Sequence, residues 1–189
     1  MSKQNILATV LGAIVLFVWG AIAWTAIPWP GEPLRSFANE AAVEAAITAN
    51  ATQPGNYILP NPHRPGLTAE QADALGEKVM RGPMMFAAIR LGPMRPFPVL
   101  LAIQFLIQLV SALIATFLLS NTGGLSYGQR VLFVVLCGVL IFVGGKMDQW
   151  VWWSFSTAFV LIEFVAIVVG WILAGLVIAK FARGRTAAA

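Results

Sequence analysis

The sequence predicts an all-α membrane protein with four transmembrane helices, on three observations. Four long apolar runs dominate the chain, at residues 6–27, 97–120, 131–145 and 152–178. No charged side chain interrupts the first three runs, and only Glu163 interrupts the fourth. Hydrophobic residues make up 59% of the 189 residues and charged residues only 11%, whereas soluble domains carry about 25% charged residues.

The lengths of the apolar runs fit membrane-spanning helices. A helix needs about 20 apolar residues to cross about 30 Å of hydrocarbon, so the first, second and fourth runs are long enough and the third is a short candidate. The length of the chain fits a single membrane unit over residues 1–189. Its polar part is one segment of about 65 residues between helices one and two, at positions 28–96, which we expect outside the membrane.

The first run has two possible interpretations. Lys3, the apolar stretch and the Ala-Ile-Ala at 21–23 together resemble a secretory signal with an A-x-A cleavage site. The stretch is about 22 residues long, more than the core of such a signal. We therefore interpret it as an uncleaved anchor that ends at the Pro-Trp-Pro of residues 28–30, where two prolines stop a helix.

The polar segment contains signals for short elements. Residues 36–50 are rich in alanine and predict a short helix capped by Asn39 or Ser36. Residues 53–65 carry four prolines and predict an extended loop. The Thr-Ala-Glu-Gln at 68–71 predicts a capping box that opens a helix to about residue 80. Residues 84–91 are predicted to lie flat on the membrane surface.

Short connections and basic residues predict the topology. The turn at 121–124 and the connection at 146–153 are short, so sequential helices should be antiparallel neighbours. Lysine and arginine are enriched in short cytoplasmic loops, and we expect a bacterial inner-membrane location with both termini cytoplasmic and segment 28–96 periplasmic. The basic residues on the expected inner side are Lys3, Arg130, Lys180, Arg183 and Arg185.

Tryptophan is abundant, and most of it falls near the expected outer interface. Trp24, Trp29, Trp150, Trp152 and Trp153 have the positions of an interfacial aromatic belt. Anchoring at the interface explains them. The group around residue 150 could also present a flat aromatic surface to a partner subunit or a pigment.

Glu163 is the one acidic residue inside an apolar run. An ionisable group within a membrane helix is costly and usually faces the interior of the bundle. Ala166, Gly170 and Ala174 follow it as a small-xxx-small pattern, which lets two helix backbones approach closely. The spacing therefore predicts that Glu163 shares the protein-facing side of the fourth helix.

Gln104 and Gln108 on the second helix offer polar partners for Glu163. By residue counting, Gln108 and Glu163 both lie about 15 Å from the outer ends of their helices, so a hydrogen bond between them is expected, with Glu163 neutral in apolar surroundings. One interpretation makes Glu163 a proton or cation relay. The other makes it a structural hydrogen-bond donor between helices.

The sequence offers no catalytic, metal or cofactor motif. Cys137 and His63 each stand alone, whereas a zinc site needs three or four ligands. The net charge of +4 could suggest nucleic acid, yet the twelve lysines and arginines are scattered and form no cluster. We therefore expect no enzyme activity, no metal, no cofactor and no nucleic-acid partner.

Several motifs resemble a set of uncharacterised bacterial inner-membrane proteins with four helices. They are the Phe-Val-Trp-Gly at 17–20, the Trp-Thr-Ala-Ile-Pro-Trp at 24–29, the Asn-Tyr-Ile-Leu-Pro-Asn-Pro at 56–62, and the Gly-Trp and Ala-Gly-Leu within 170–176. The resemblance implies that the chain is a single unit of the size common to these proteins. It implies no activity.

Together these observations predict a non-catalytic accessory or stabilising subunit of a larger bacterial membrane complex, of respiratory or photosynthetic type. Its partners would be the lipid bilayer and other membrane-protein subunits. The alternative is a small proton- or cation-coupled transporter or channel that uses Glu163 with the two glutamines. A membrane-embedded enzyme is a third option, which would need two convergent polar groups at one depth of a lipid-facing cleft.

Overall fold

The computed structural model describes residues 2–30 and 34–184. In chain order, the elements are α1 (Lys3–Thr25), α2 (Glu40–Asn50), β1 (Gly55–Leu59), α3 (Ala69–Arg81), β2 (Met85–Ile89), α4 (Phe97–Ser120), α5 (Tyr127–Gly145), α6 (Met147–Trp152) and α7 (Thr157–Phe181). They fall into two compact units. Of the described residues, the first contains 2–30, 95–148 and 156–184, and the second contains 34–94 and 149–155.

The first unit holds the long helices, apart from residues 149–152 at the end of α6, which belong to the second unit. Four stretches of the described chain are long and apolar enough to cross a membrane: α1, α4, α5 continued by α6, and α7. α4 coincides with the second apolar run. α5 begins at Tyr127, before the third run, because Ser126 and Gln129 form a capping box at its start. α7 begins only at Thr157, because Ser156 caps it and Ser154 before it has a positive φ of 58°.

Within this unit the long helices pack side by side in the order α4, α1, α7, α5. α1 packs on both α4 and α7, and α7 also packs on α5, whereas α4 makes few contacts with α5 or α7. The prediction that α4 and α5 pack closely on each other is therefore wrong, because α1 packs against α4 instead. The bundle stays open between α4 and α7.

The end of the unit that carries both termini is tied by side chains. Asn5 donates to the Arg183 carbonyl at 3.2 Å and accepts from the Arg183 backbone N–H at 2.7 Å. Tyr127 donates to the Leu176 carbonyl at 2.9 Å, and Arg130 donates to the Ala182 carbonyl. The Ala182 and Arg183 carbonyls follow the last residue of α7, so no further turn of the helix bonds to them. The expected inner-side residue Arg185 lies outside the described residues.

The second unit contains two helices and a small sheet. Asn39 caps α2, and the predicted capping box of Thr68 and Gln71 opens α3, as expected from the sequence. β1 and β2 pair as antiparallel strands with Tyr57 opposite Ala87.

The sheet corrects three expectations from the sequence. The protein is not purely α-helical, residues 55–59 are a strand within the expected loop, and residues 85–89, within the segment expected on the membrane surface, form a strand. The physical reason is that periodicity alone does not separate strand from helix in a short apolar run. Here the paired strand satisfies backbone groups that a single extended segment would leave open.

Candidate functional site

Glu163 lies on the protein-facing side of α7, as its spacing indicated. The residue is only 8% exposed. The small residues of the same helix, Ala166, Gly170 and Ala174, are also buried. They face α1, since a Cβ at Gly170 would lie 2.7 Å from Trp19 Cδ1.

Trp19 fills the groove that these small residues leave. Its indole N–H donates to the Ala166 carbonyl at 2.7 Å, and its ring lies over Gly170. A second tryptophan, Trp171, makes the matching contact on the α5 side, where its side chain lies against Gly138. On two sides of α7, therefore, a tryptophan ring packs on a glycine. A small residue at such a contact lets two helices approach closely.

Glu163 forms an ion pair with Lys146, the residue that follows α5. Lys146 Nζ donates to Glu163 Oε1 at 2.8 Å, while the side chains are 35% and 10% exposed. The other oxygen, Oε2, is buried without a hydrogen-bond partner. The pair connects the end of α5 to the second turn of α7, and its charges balance within the site.

The expected Gln108–Glu163 hydrogen bond is not formed, because Lys146 takes that position. Counting about 1.5 Å per residue from the first residue of each helix places Glu163 about 9 Å along α7 and Gln108 about 17 Å along α4. The later start of α7 accounts for this offset. By the same count Gln104 lies about 10 Å along α4, nearer than Gln108 to the start of its helix.

A cleft of about 690 Å³ lies between α4 and α7, where the bundle is open. Gln104, Gln108, Ser111, Lys146 and Glu163 are all among its lining residues. The remaining walls are mainly apolar and come from α1, α4 and α7. The structure therefore brings both predicted glutamines and the predicted acid to one cleft, and adds a lysine to them.

The five predicted interfacial tryptophans have different surroundings. Trp24 lines the cleft and packs against Phe159, with ring centroids 6.0 Å apart. Trp29 donates to the Ala23 carbonyl at 2.6 Å. In the second unit, Trp153 stacks on Phe86 with a centroid distance of 4.4 Å. Trp150 and Trp152 are exposed.

Sequence reasoning missed Lys146 and Trp19 as parts of the site. Lys146 ends an apolar run and Glu163 follows within the first turns of the next helix. Because those helices are antiparallel neighbours, counting back from the turn would have placed the two charges together. No pattern indicated Trp19 as a packing residue, since it lay inside an apolar run and away from the interface.

The described residues contain no group of three or more His, Cys, Asp or Glu side chains that could hold a metal ion. Cys137 is half-buried in α5, and His63 is exposed in the second unit.

Comparison of this chain with protein-family models, with curated proteins and with solved structures gives no match. The resemblance to bacterial inner-membrane proteins stays a prediction that depends on the quoted motifs.

Proposed function

We propose that the chain is a multi-pass membrane protein without catalytic activity that serves as an accessory or stabilising subunit of a larger bacterial membrane complex, of respiratory or photosynthetic type. The observation that carries this proposal is the exposure of α4. Only 6% of the most apolar stretch of α4 is buried in the protein, against 44% of that of α7. α4 packs extensively on α1 alone, so most of its apolar surface is free to meet another helix or lipid.

The charges support an inner-membrane orientation with both termini in the cytoplasm. Within the described part of the first unit, the basic residues Lys3, Arg130, Lys180 and Arg183 lie at the end that carries the termini, against Arg95 and Lys146 at the opposite end. An excess of lysine and arginine marks the cytoplasmic side of membrane proteins. We propose that segment 28–96 is periplasmic on this ground.

Co-isolation tests the accessory role. A photo-crosslinking amino acid at Val110, on the exposed face of α4, should capture a membrane polypeptide that also comigrates on native electrophoresis after gentle extraction. The same amino acid at Ala112, which is buried, is the matched control and should capture nothing beyond the chain itself. Deleting the gene should lower the amount of the captured complex. A strictly single-chain species with no change in any membrane complex would contradict the proposal.

A small proton- or cation-coupled transporter or channel is the second candidate, favoured by the cleft beside Glu163. Its test is flux into proteoliposomes that contain the purified chain. Activity in the wild type that Glu163→Gln abolishes would favour transport. Equal flux in both proteins would exclude Glu163 as a relay.

The convergence of Lys146 and Glu163 is also what a membrane-embedded enzyme would need. We propose no catalytic role for these groups, because the lysine and the acid are paired with each other.

A further inference from the structure

We propose that the cleft between α4 and α7 binds one neutral amphiphile, with a planar, carbonyl-bearing ring of the quinone type as its head and an apolar tail. The proposal goes beyond the accessory role and does not depend on it. Four properties of the cleft carry it: size, aromatic walls, available hydrogen-bond donors and balanced charge.

The cleft has the size and length for a head and a tail. Its volume of about 690 Å³ falls within the range of about 300–1,000 Å³ typical of small-molecule sites. Along α4 its lining extends from Phe97 to Ser111, which is about 21 Å of helix. The lining away from Glu163 is mainly apolar, with Gln108 and Ser111 as polar residues within it, so an apolar tail has room there.

Aromatic side chains favour a planar head over a saturated one. The aromatic residues that line the cleft are Phe17, Trp19, Trp24, Phe97 and Trp171. Aromatic rings gain from offset-stacked or edge-to-face contacts with another planar ring. A glycerol backbone or a plain acyl chain cannot make such contacts.

The polar groups of the cleft can donate to a carbonyl oxygen. Lys146 gives one ammonium hydrogen to Glu163, and an ammonium group has three. Gln104 is exposed and lines the same cleft, and its amide has two further N–H groups. A ring carbonyl in the cleft would accept from Lys146 or from Gln104.

Charge balance selects a neutral head. The ion pair of Lys146 and Glu163 leaves no net charge in the cleft. A phosphate would bring an uncompensated negative charge next to Glu163, whose Oε2 already has no partner, and an unpaired charge in an apolar site is costly. A neutral carbonyl avoids this cost.

The test is a fluorescence titration of the full-length chain in phosphatidylcholine nanodiscs with a decyl-substituted benzoquinone. We expect saturable quenching of tryptophan emission, since Trp19 and Trp24 line the cleft. Gln104→Leu, which keeps the ion pair, should raise the dissociation constant about fivefold, and Lys146→Met about tenfold or more, because each removes a donor. Lys180→Met, at the far end of α7, is the matched control and should bind as the wild type does.

Three comparison ligands separate the possible occupants. Decylbenzene lacks the carbonyls, dioctanoylglycerol lacks the ring, and dioctanoyl phosphatidylglycerol carries a phosphate, so none should displace the quinone. Displacement by any of them at equal concentration, non-saturable quenching, or unchanged affinity in both cleft variants would overturn the proposal. This experiment uses the isolated chain, so a negative result would not contradict the accessory role. Equally, failure of the crosslinking test would not contradict quinone binding.

Discussion

Glu163 accepts a hydrogen bond from Lys146 through one carboxylate oxygen at 2.8 Å, while its other oxygen is buried without a partner. An acid inside an apolar helix is thus balanced by a cation from the end of the neighbouring helix. The pair explains how the chain keeps a carboxylate at this depth.

Removing one partner of this pair should destabilise the protein more than removing both. Lys146→Met leaves the carboxylate unpaired and should cost about 2 kcal/mol, a value reduced for the partial exposure of the lysine. The double variant with Glu163→Gln should recover most of the loss. Thermal unfolding in detergent, followed by tryptophan fluorescence, measures the difference. A double variant as unstable as Lys146→Met would contradict the expectation.

Gly170 should tolerate no side chain. A Cβ there would lie 2.7 Å from Trp19 Cδ1, so Gly170→Ala forces α1 and α7 apart and should cost about 1–3 kcal/mol. Gly144→Ala in α5, where a Cβ meets nothing within 4 Å, is the control and should be neutral or slightly stabilising. Equal melting temperatures for the two variants would show that the tryptophan contact is not tight.

Asn5 should control the order of the end of α7. It makes two hydrogen bonds with the backbone of Arg183, so Asn5→Ala should cost about 1–2 kcal/mol and speed amide exchange near residues 178–183. Hydrogen exchange with mass spectrometry reads out this local change. Thr25→Ala, at the other end of α1, is a control because its hydroxyl bonds only within its own helix. Unchanged amide exchange near Arg183 in Asn5→Ala would contradict a stabilising role of the Asn5–Arg183 hydrogen bonds.

Cysteine labelling should report the orientation. In a Cys137→Ala background, a cysteine at Gly123, in the turn between α4 and α5, should react with an impermeant maleimide only after the cells are opened. A cysteine at Thr52, in the segment between α1 and α4, should react in intact cells, because the excess of basic residues at the opposite end predicts that end as cytoplasmic and this segment as periplasmic. The reverse pattern would invert the proposed topology.

The sequence predicted the four long helices well, because apolar length is a direct requirement of a bilayer and needs no knowledge of packing. The caps at Asn39 and Thr68 were predictable for a similar reason, since a cap depends on residues within a few positions. The burial of Glu163 and of the small residues after it followed from helical spacing.

Three features were not predictable from spacing alone. The pairing of β1 with β2 joins residues far apart in the chain, and a short apolar run fits either strand or helix. The position of α1 between α4 and α7 depends on side-chain fit, such as Trp19 over Gly170. The partner of Glu163 depended on where α7 begins, and a start five residues later than expected replaced Gln108 by Lys146.

The unequal attachment of α4 determines how the cleft can be reached. Moving α7 would break two extensive interfaces, each anchored by an indole ring, whereas tilting α4 loosens only the seam it shares with α1. α4 is therefore the wall of the cleft that should move more easily, and a small tilt of α4 would widen the opening of the cleft toward the acyl chains. A hydrophobic solute would arrive laterally from the surrounding bilayer, without passing through water.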